Sequence, residues 1–153
     1  PPLVSFFLIM NQENEDSPVP IKGSAKALNR FLKVLAPKLK NLTLDLAEEV
    51  TPEEMLVRFE VLSKAKELET MAMNFIVPKL TKEYVQDMGM HIRSLYNLES
   101  LSLKFQKTTK AIHEIENYVK YHPKLDKILI HFNKDKWMDS ECLDNPLEVG
   151  IKG

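Results

Sequence analysis

A chain of 153 residues with 44% hydrophobic content is large enough for one domain with a sizeable core. Its 21 lysines and arginines nearly balance 22 aspartates and glutamates, leaving no net field to hold a polyanion or an acidic membrane surface, so nucleic acid is disfavoured as a partner. The single cysteine, Cys142, excludes an internal disulfide framework and suits a reducing intracellular compartment, most simply the cytoplasm.

The sequence opens on Pro1-Pro2 rather than methionine and so reads as a fragment or processed product of a longer chain. Its first apolar run, residues 3–10, lacks the basic flank and small-residue cleavage site of a signal peptide and is too short to span a bilayer. No membrane association is expected. The spacing of Leu3, Phe6, Leu8 and Met10 instead predicts a strand with one apolar side, followed by a polar loop at 11–20. Leu28, Phe31, Leu32 and Leu35 recur at three- and four-residue steps, which predicts a helix with one buried face, started by Ser24 and stopped at Pro37.

Leu39, Leu42, Leu44 and Leu46 mark the second strand, and the Asn41-Leu42-Thr43 sequon inside it reads as a chance match. Thr51, Pro52 and Glu54 carry a capping-box signature ahead of the second helix, whose apolar face is Met55, Leu56, Phe59 and Leu62. A third strand follows at Leu68, Met71, Met73 and Phe75, then a helix after Thr81 with Tyr84, Val85, Met88 and Ile92. Leu98, Leu101, Leu103 and Phe105 form the fourth strand. Thr108 or Thr109 starts the fourth helix, which carries Ile112, Ile115, Tyr118 and Val119. Pro123 ends it, and Leu125, Ile128, Ile130 and Phe132 make the fifth strand. Beyond that point Trp137, Met138, Leu143 and Leu147 are interspersed with Asp139, Glu141 and Asp144, so residues 133–153 read as a cap or tail.

The strands share one pattern: an apolar residue, two variable residues, then apolar residues alternating with variable ones. Copies starting at Leu39, Leu68, Leu98 and Leu125 lie 29, 30 and 27 positions apart, and a fifth at Leu3 precedes Leu39 by 36. That self-similarity predicts one domain of stacked strand-helix units, none able to bury its own apolar side alone. On this pattern the chain resembles a leucine-rich-repeat protein, nearest the long repeats typified by ribonuclease inhibitor, over roughly residues 3–133. The resemblance implies an α/β solenoid of about five repeats, starting near 3, 39, 68, 98 and 125, with a parallel sheet on the concave face. One feature departs from the family. Asparagine or cysteine is usual eight positions after the first leucine, where Asn11 and Asn133 match but Ala47, Ile76 and Gln106 do not. Irregular bends are expected after those middle strands.

Little in the chain points to catalysis. Four glycines, Gly23, Gly89, Gly150 and Gly153, cannot assemble a phosphate cradle. His91, His113, His122 and His131 show no metal-ligand spacing with each other or with Cys142. No cofactor or metal is expected. His113 and His122 fall on and just after a helix and read as exposed polar residues, whereas His131 points outward from its strand. Glu48, Glu49, Glu53 and Glu54 suit the start of a helix electrostatically, and Met71 and Met73 occupy core positions.

The period of two that buries the leucines leaves other residues facing outward in columns across the sheet. From first repeat to last these are Ser5, Phe7 and Ile9; Asn41, Thr43 and Asp45; Thr70, Ala72 and Asn74; Ser100, Ser102 and Lys104; and Lys127, Leu129 and His131. The resemblance implies that such a face binds protein without catalysing a reaction, as scaffold, structural subunit or adaptor. Alternatives of the same ancestry are the substrate-recognition component of an F-box-type ubiquitin ligase and a regulatory repeat segment of a multidomain enzyme. The first strand, left open at residues 3–10, is expected to associate with other chains along its edge.

Overall fold

The computed structural model describes residues 5–9, 24–132 and 147–149. Strands and helices alternate: β1 (Ser5–Ile9), α1 (Ser24–Leu35), β2 (Asn41–Glu49), α2 (Pro52–Leu62), β3 (Thr70–Ile76), α3 (Lys82–Arg93), β4 (Ser100–Phe105), α4 (Glu116–Val119), β5 (Lys127–Phe132) and β6 (Leu147–Val149). The strands form one sheet in sequence order. Neighbours from β1 to β5 are parallel, and β6 lies antiparallel against β5. The helices pack in the same order, each on the next. This is an α/β fold with a five-stranded parallel sheet alternating with helices.

Equal local turns set the register. Just before the strands, the N–H of Leu39, Leu68 and Leu98 bonds the carbonyl three residues back, at Ala36, Ala65 and Leu95. The Lys40 carbonyl then accepts from Glu69 and Thr70, the Glu69 carbonyl from Glu99 and Ser100, and the Glu99 carbonyl from Asp126 and Lys127. Ser5, Asn41, Thr70, Ser100 and Lys127 are consequently register partners across the sheet. One face is apolar throughout: Leu42, Leu44, Met71, Met73, Leu101, Leu103, Ile128 and Ile130 are all buried in a single core with the inner faces of the helices. Phe59, Phe75 and Phe105 stack through it with ring centroids 6.0 and 5.9 Å apart, a spacing that adds quadrupolar attraction to their burial.

The helix starts follow their sequence signals unevenly. At α2 the capping box is complete: Thr51 Oγ1 accepts from the Glu54 N–H at 3.1 Å and the Thr51 N–H donates to Glu54 Oε1 at 3.4 Å. Thr81 precedes α3 without a side-chain cap, and α1 begins at Ser24 itself. Thr109, not Thr108, caps the fourth helical segment, accepting from the Ala111 N–H at 3.2 Å. That segment is a 3-10 helix over Lys110–Ile115 with only four α-helical residues after it. The step from Leu98 to Leu125, 27 residues, is shorter than the 29 and 30 before it, and a 3-10 helix rises about 2.0 Å per residue against about 1.5 Å, covering the same span with fewer residues.

The bends after the middle strands are held by backbone bonds. Val50 N–H donates to the Ile76 carbonyl, Val77 N–H to that of Lys107 and Gln106 N–H to that of Phe75, each at 2.9 Å. Irregularity is confined to β2, whose register with β3 shifts between Leu44 and Glu48, setting residues 45–47 against Asn74 alone. Asn11, Asn133 and Cys142, and the tail residues Trp137, Met138 and Leu143, lie outside the described residues. Within the expected cap, β6 covers the outer edge of β5, with Leu147 opposite Ile130 and Val149 opposite Ile128.

Three expectations are corrected. Phe31, assigned to the core, is 46% exposed and meets the Phe6 ring at 5.2 Å; its helix is the first, with no described helix on its outer side. His122, read as an exposed polar residue, is completely buried. It stands three residues before Leu125, the place held by Ala36, Ala65 and Leu95 in the other units. Its Nδ1 accepts from the N–H groups of Lys124 at 3.2 Å and Leu125 at 3.1 Å. The proton therefore sits on Nε2, which donates to the Leu95 carbonyl at 2.7 Å.

His113 is the third, half-buried and edge-on to Phe132 with centroids 5.2 Å apart. Burial holds its imidazole below the usual value of 6.5, with Lys110 adding to the shift and Glu116 opposing it. The native state thus favours the neutral ring, and the unfolded chain binds the proton first as pH falls below about 6.5, so stability declines over that window. Thermal unfolding from pH 7.5 to 5 should show a smaller loss of Tm in His113→Gln than in wild type; parallel profiles would show that His113 contributes nothing.

Candidate binding face

The outward side of the sheet carries three side-chain columns. In the first, Asn41 Nδ2 donates to Ser5 Oγ at 3.1 Å and Thr70 Oγ1 donates to Asn41 Oδ1 at 2.8 Å, a hydrogen-bonded ladder across three strands that Ser100 and Lys127 continue in register. Cross-strand bonds of this kind hold the side chains in fixed rotamers.

The middle column is Phe7, Thr43, Ala72, Ser102 and Leu129. Phe7 is 62% and Leu129 42% exposed, and the three residues between them are small and partly covered. Two apolar knobs thus stand four strand spacings apart, about 19 Å, with a shallow polar floor between.

The third column begins at Ile9, in register with Asp45, and continues through Asn74, Lys104 and His131. Asp45, Lys104 and His131 are exposed. Asn74 is not. Expected on the contact surface, it is 94% buried, because it faces the irregular stretch of β2 and is drawn against it, its Nδ2 donating to Asp45 Oδ1 at 2.8 Å. Its own Oδ1 has no hydrogen-bond partner among the described residues. With Asn74 buried, the exposed charge on this face divides: Asp45 on β2, Lys104 and Lys127 on β4 and β5.

Of the glutamates near α2, Glu53 and Glu54 have structural partners. Glu54 completes the capping box. Glu53 accepts a hydrogen bond from the Tyr84 hydroxyl of α3, which holds the Glu53 carboxyl below its usual range and raises the Tyr84 phenol. Among the described residues, no group of three or more His, Cys, Asp or Glu side chains converges as a metal site, and no helix is long and apolar enough to cross a membrane.

Sequence reasoning placed the columns but missed the bonds along them. The signal was present: Ser5, Asn41 and Thr70 align at one repeat position, and neighbouring polar side chains in register are within bonding reach. Comparison with protein-family models, curated proteins and solved structures found no match.

Proposed function

We propose that this chain is a non-catalytic protein-binding solenoid of the leucine-rich-repeat kind, which recognises a protein partner through the outward face of its parallel sheet. The observation that carries this reading is the in-register outward surface, with exposed Phe7 and Leu129 at the two ends of its middle column and a hydrogen-bonded ladder of Ser5, Asn41 and Thr70 in the column beside it. Exposed apolar side chains are the usual energetic anchors of a contact. The Ser5–Asn41–Thr70 ladder supplies donors and acceptors whose geometry is already set, and the separation of Asp45 from Lys104 and Lys127 fixes the partner's orientation by charge. The partner offers an acidic group toward β4 and β5 and a basic one toward β2. Such a module serves as a scaffold or adaptor inside the cell.

The test uses affinity capture to obtain a partner, then compares two pairs of charge reversals. Lys104→Glu with Lys127→Glu alters the sheet face, and Lys33→Glu with Lys64→Glu alters exposed lysines near the ends of α1 and α2. The first pair should weaken binding about tenfold or more and the second by much less. If only the second pair weakens it while all the proteins stay folded, the partner sits on the helices and the reading is wrong.

A further inference from the structure

We infer that the edge formed by the helix-to-strand turns binds an acidic, extended segment of a partner protein, at a surface separate from the outward face of the sheet. Each turn consists of the five residues before the leucine that leads into a strand, and the turns at 34–38, 63–67, 93–97 and 120–124 stack in the order of their strands. They hold six cations, Lys38, Lys64, Lys66, Arg93, Lys120 and Lys124, against one carboxylate, Glu67, in a chain whose net charge is -1. Composition averages this concentration away, and stacking of the units gathers it on one edge.

All six cations are exposed, and none pairs with a carboxylate among the described residues. Neutral groups hold several of them in place. Lys66 Nζ stands 4.9 Å over the Tyr96 ring and donates to the Ser94 carbonyl at 3.3 Å. Lys124 Nζ donates to Asn97 Oδ1 at 2.9 Å, while Asn97 Nδ2 donates to the Lys66 carbonyl at 2.8 Å. Lys120 Nζ stands 5.1 Å over the Tyr121 ring. Three successive turns are thereby tied together, with their ammonium groups positioned but not neutralised. Attraction to a helix C-terminus accounts for Lys64, Arg93 and Lys120, which lie at or just past the ends of α2, α3 and α4. Lys66 and Lys124 lie farther along the turns, and that attraction does not explain them.

The width of the basic strip selects the partner. On its sheet side, the residue after each leading leucine is Glu69, Glu99 and Asp126 in the last three units, with Glu99 and Asp126 exposed. A duplex or a bilayer surface is wider than the strip and would set its own negative charge against this acidic row. A single extended chain fits beside it. The four turns span three strand spacings, ~14 Å, which about four residues of extended polypeptide cover at ~3.3 Å each. Tyr96 and Tyr121, 56% and 67% exposed, stand on consecutive turns and offer apolar contact to the side chains between the acidic ones.

The test uses the whole chain and a fluorescein-labelled peptide of about eight residues alternating aspartate with valine, ~26 Å long when extended. Measured by anisotropy, the peptide should bind, lose affinity as salt rises and fail to bind when asparagine replaces each aspartate. Lys66→Glu with Lys124→Glu should raise Kd about tenfold or more and leave the melting profile unchanged, both sites being exposed. Lys66→Gln with Lys124→Gln should shift Kd the same way by less, and it carries the test should the glutamate pair fold poorly. Lys104→Glu with Lys127→Glu, on the outward face, should leave peptide affinity unchanged, so this edge and the proposed function can fail separately. Absence of peptide binding overturns the proposal, as does wild-type affinity in the Lys66 and Lys124 variants. Tighter binding of single-stranded oligothymidylate than of the peptide also overturns it, and would make the edge a nucleic-acid surface.

Discussion

Leu103→Asp is expected to abolish cooperative folding. Leu103 is completely buried at the centre of the sheet, between its register partners Met73 and Ile130, themselves buried. The substitution removes about 1.5–3 kcal/mol of apolar burial and sets a carboxylate between the buried apolar side chains of Met73 and Ile130, a further cost of several kcal/mol. A domain of this size typically holds about 5–15 kcal/mol in total. The adjacent Ser102→Asp points to the outward face and should cost no more than about 1 kcal/mol. Circular dichroism melting of the two variants reads the contrast directly. A soluble Leu103→Asp protein with a sharp transition near that of wild type would mean that β4 does not present this face to the core.

His122→Phe has the second largest expected effect, a loss of about 3–5 kcal/mol despite nearly conserved volume. The ring links two units: Nε2 serves the Leu95 carbonyl, and Nδ1 takes the N–H groups that open the turn into β5. Phenylalanine takes the partner from the N–H groups of Lys124 and Leu125, at about 1–3 kcal/mol for each that stays buried, and leaves the Leu95 carbonyl with the Leu98 N–H alone. His122→Asn keeps an acceptor near the Nδ1 position and should recover part of the loss. Denaturant titration is expected to rank wild type above Asn and Asn above Phe. If the Asn and Phe variants lose equally, the ring is acting as filler and the bonds contribute nothing.

Wherever one element supplies the answer, the sequence determined it. Strand alternation placed Leu42, Met71, Leu101 and Ile128 inward and Thr43, Ala72, Ser102 and Leu129 outward, because side chains on a strand change face at every residue. The near-equal spacing of Leu39, Leu68 and Leu98 implied equal turns, and equal turns brought the outward residues into register as columns. The capping box at Thr51 was legible because all its atoms lie within four residues of each other.

What depends on the number and identity of neighbours was decided by the tertiary structure. The period of α1 marks Phe31 as apolar but carries no information on whether a helix lies beyond it; none of the described ones does, so the ring is half exposed. Nothing local to His122 announces burial, since the carbonyl it serves belongs to Leu95 of the preceding unit. Asn74 obeys the outward alternation, yet is buried because β2, not its own strand, is irregular opposite it. Periodicity reports which side of an element is apolar; only packing decides what meets that side.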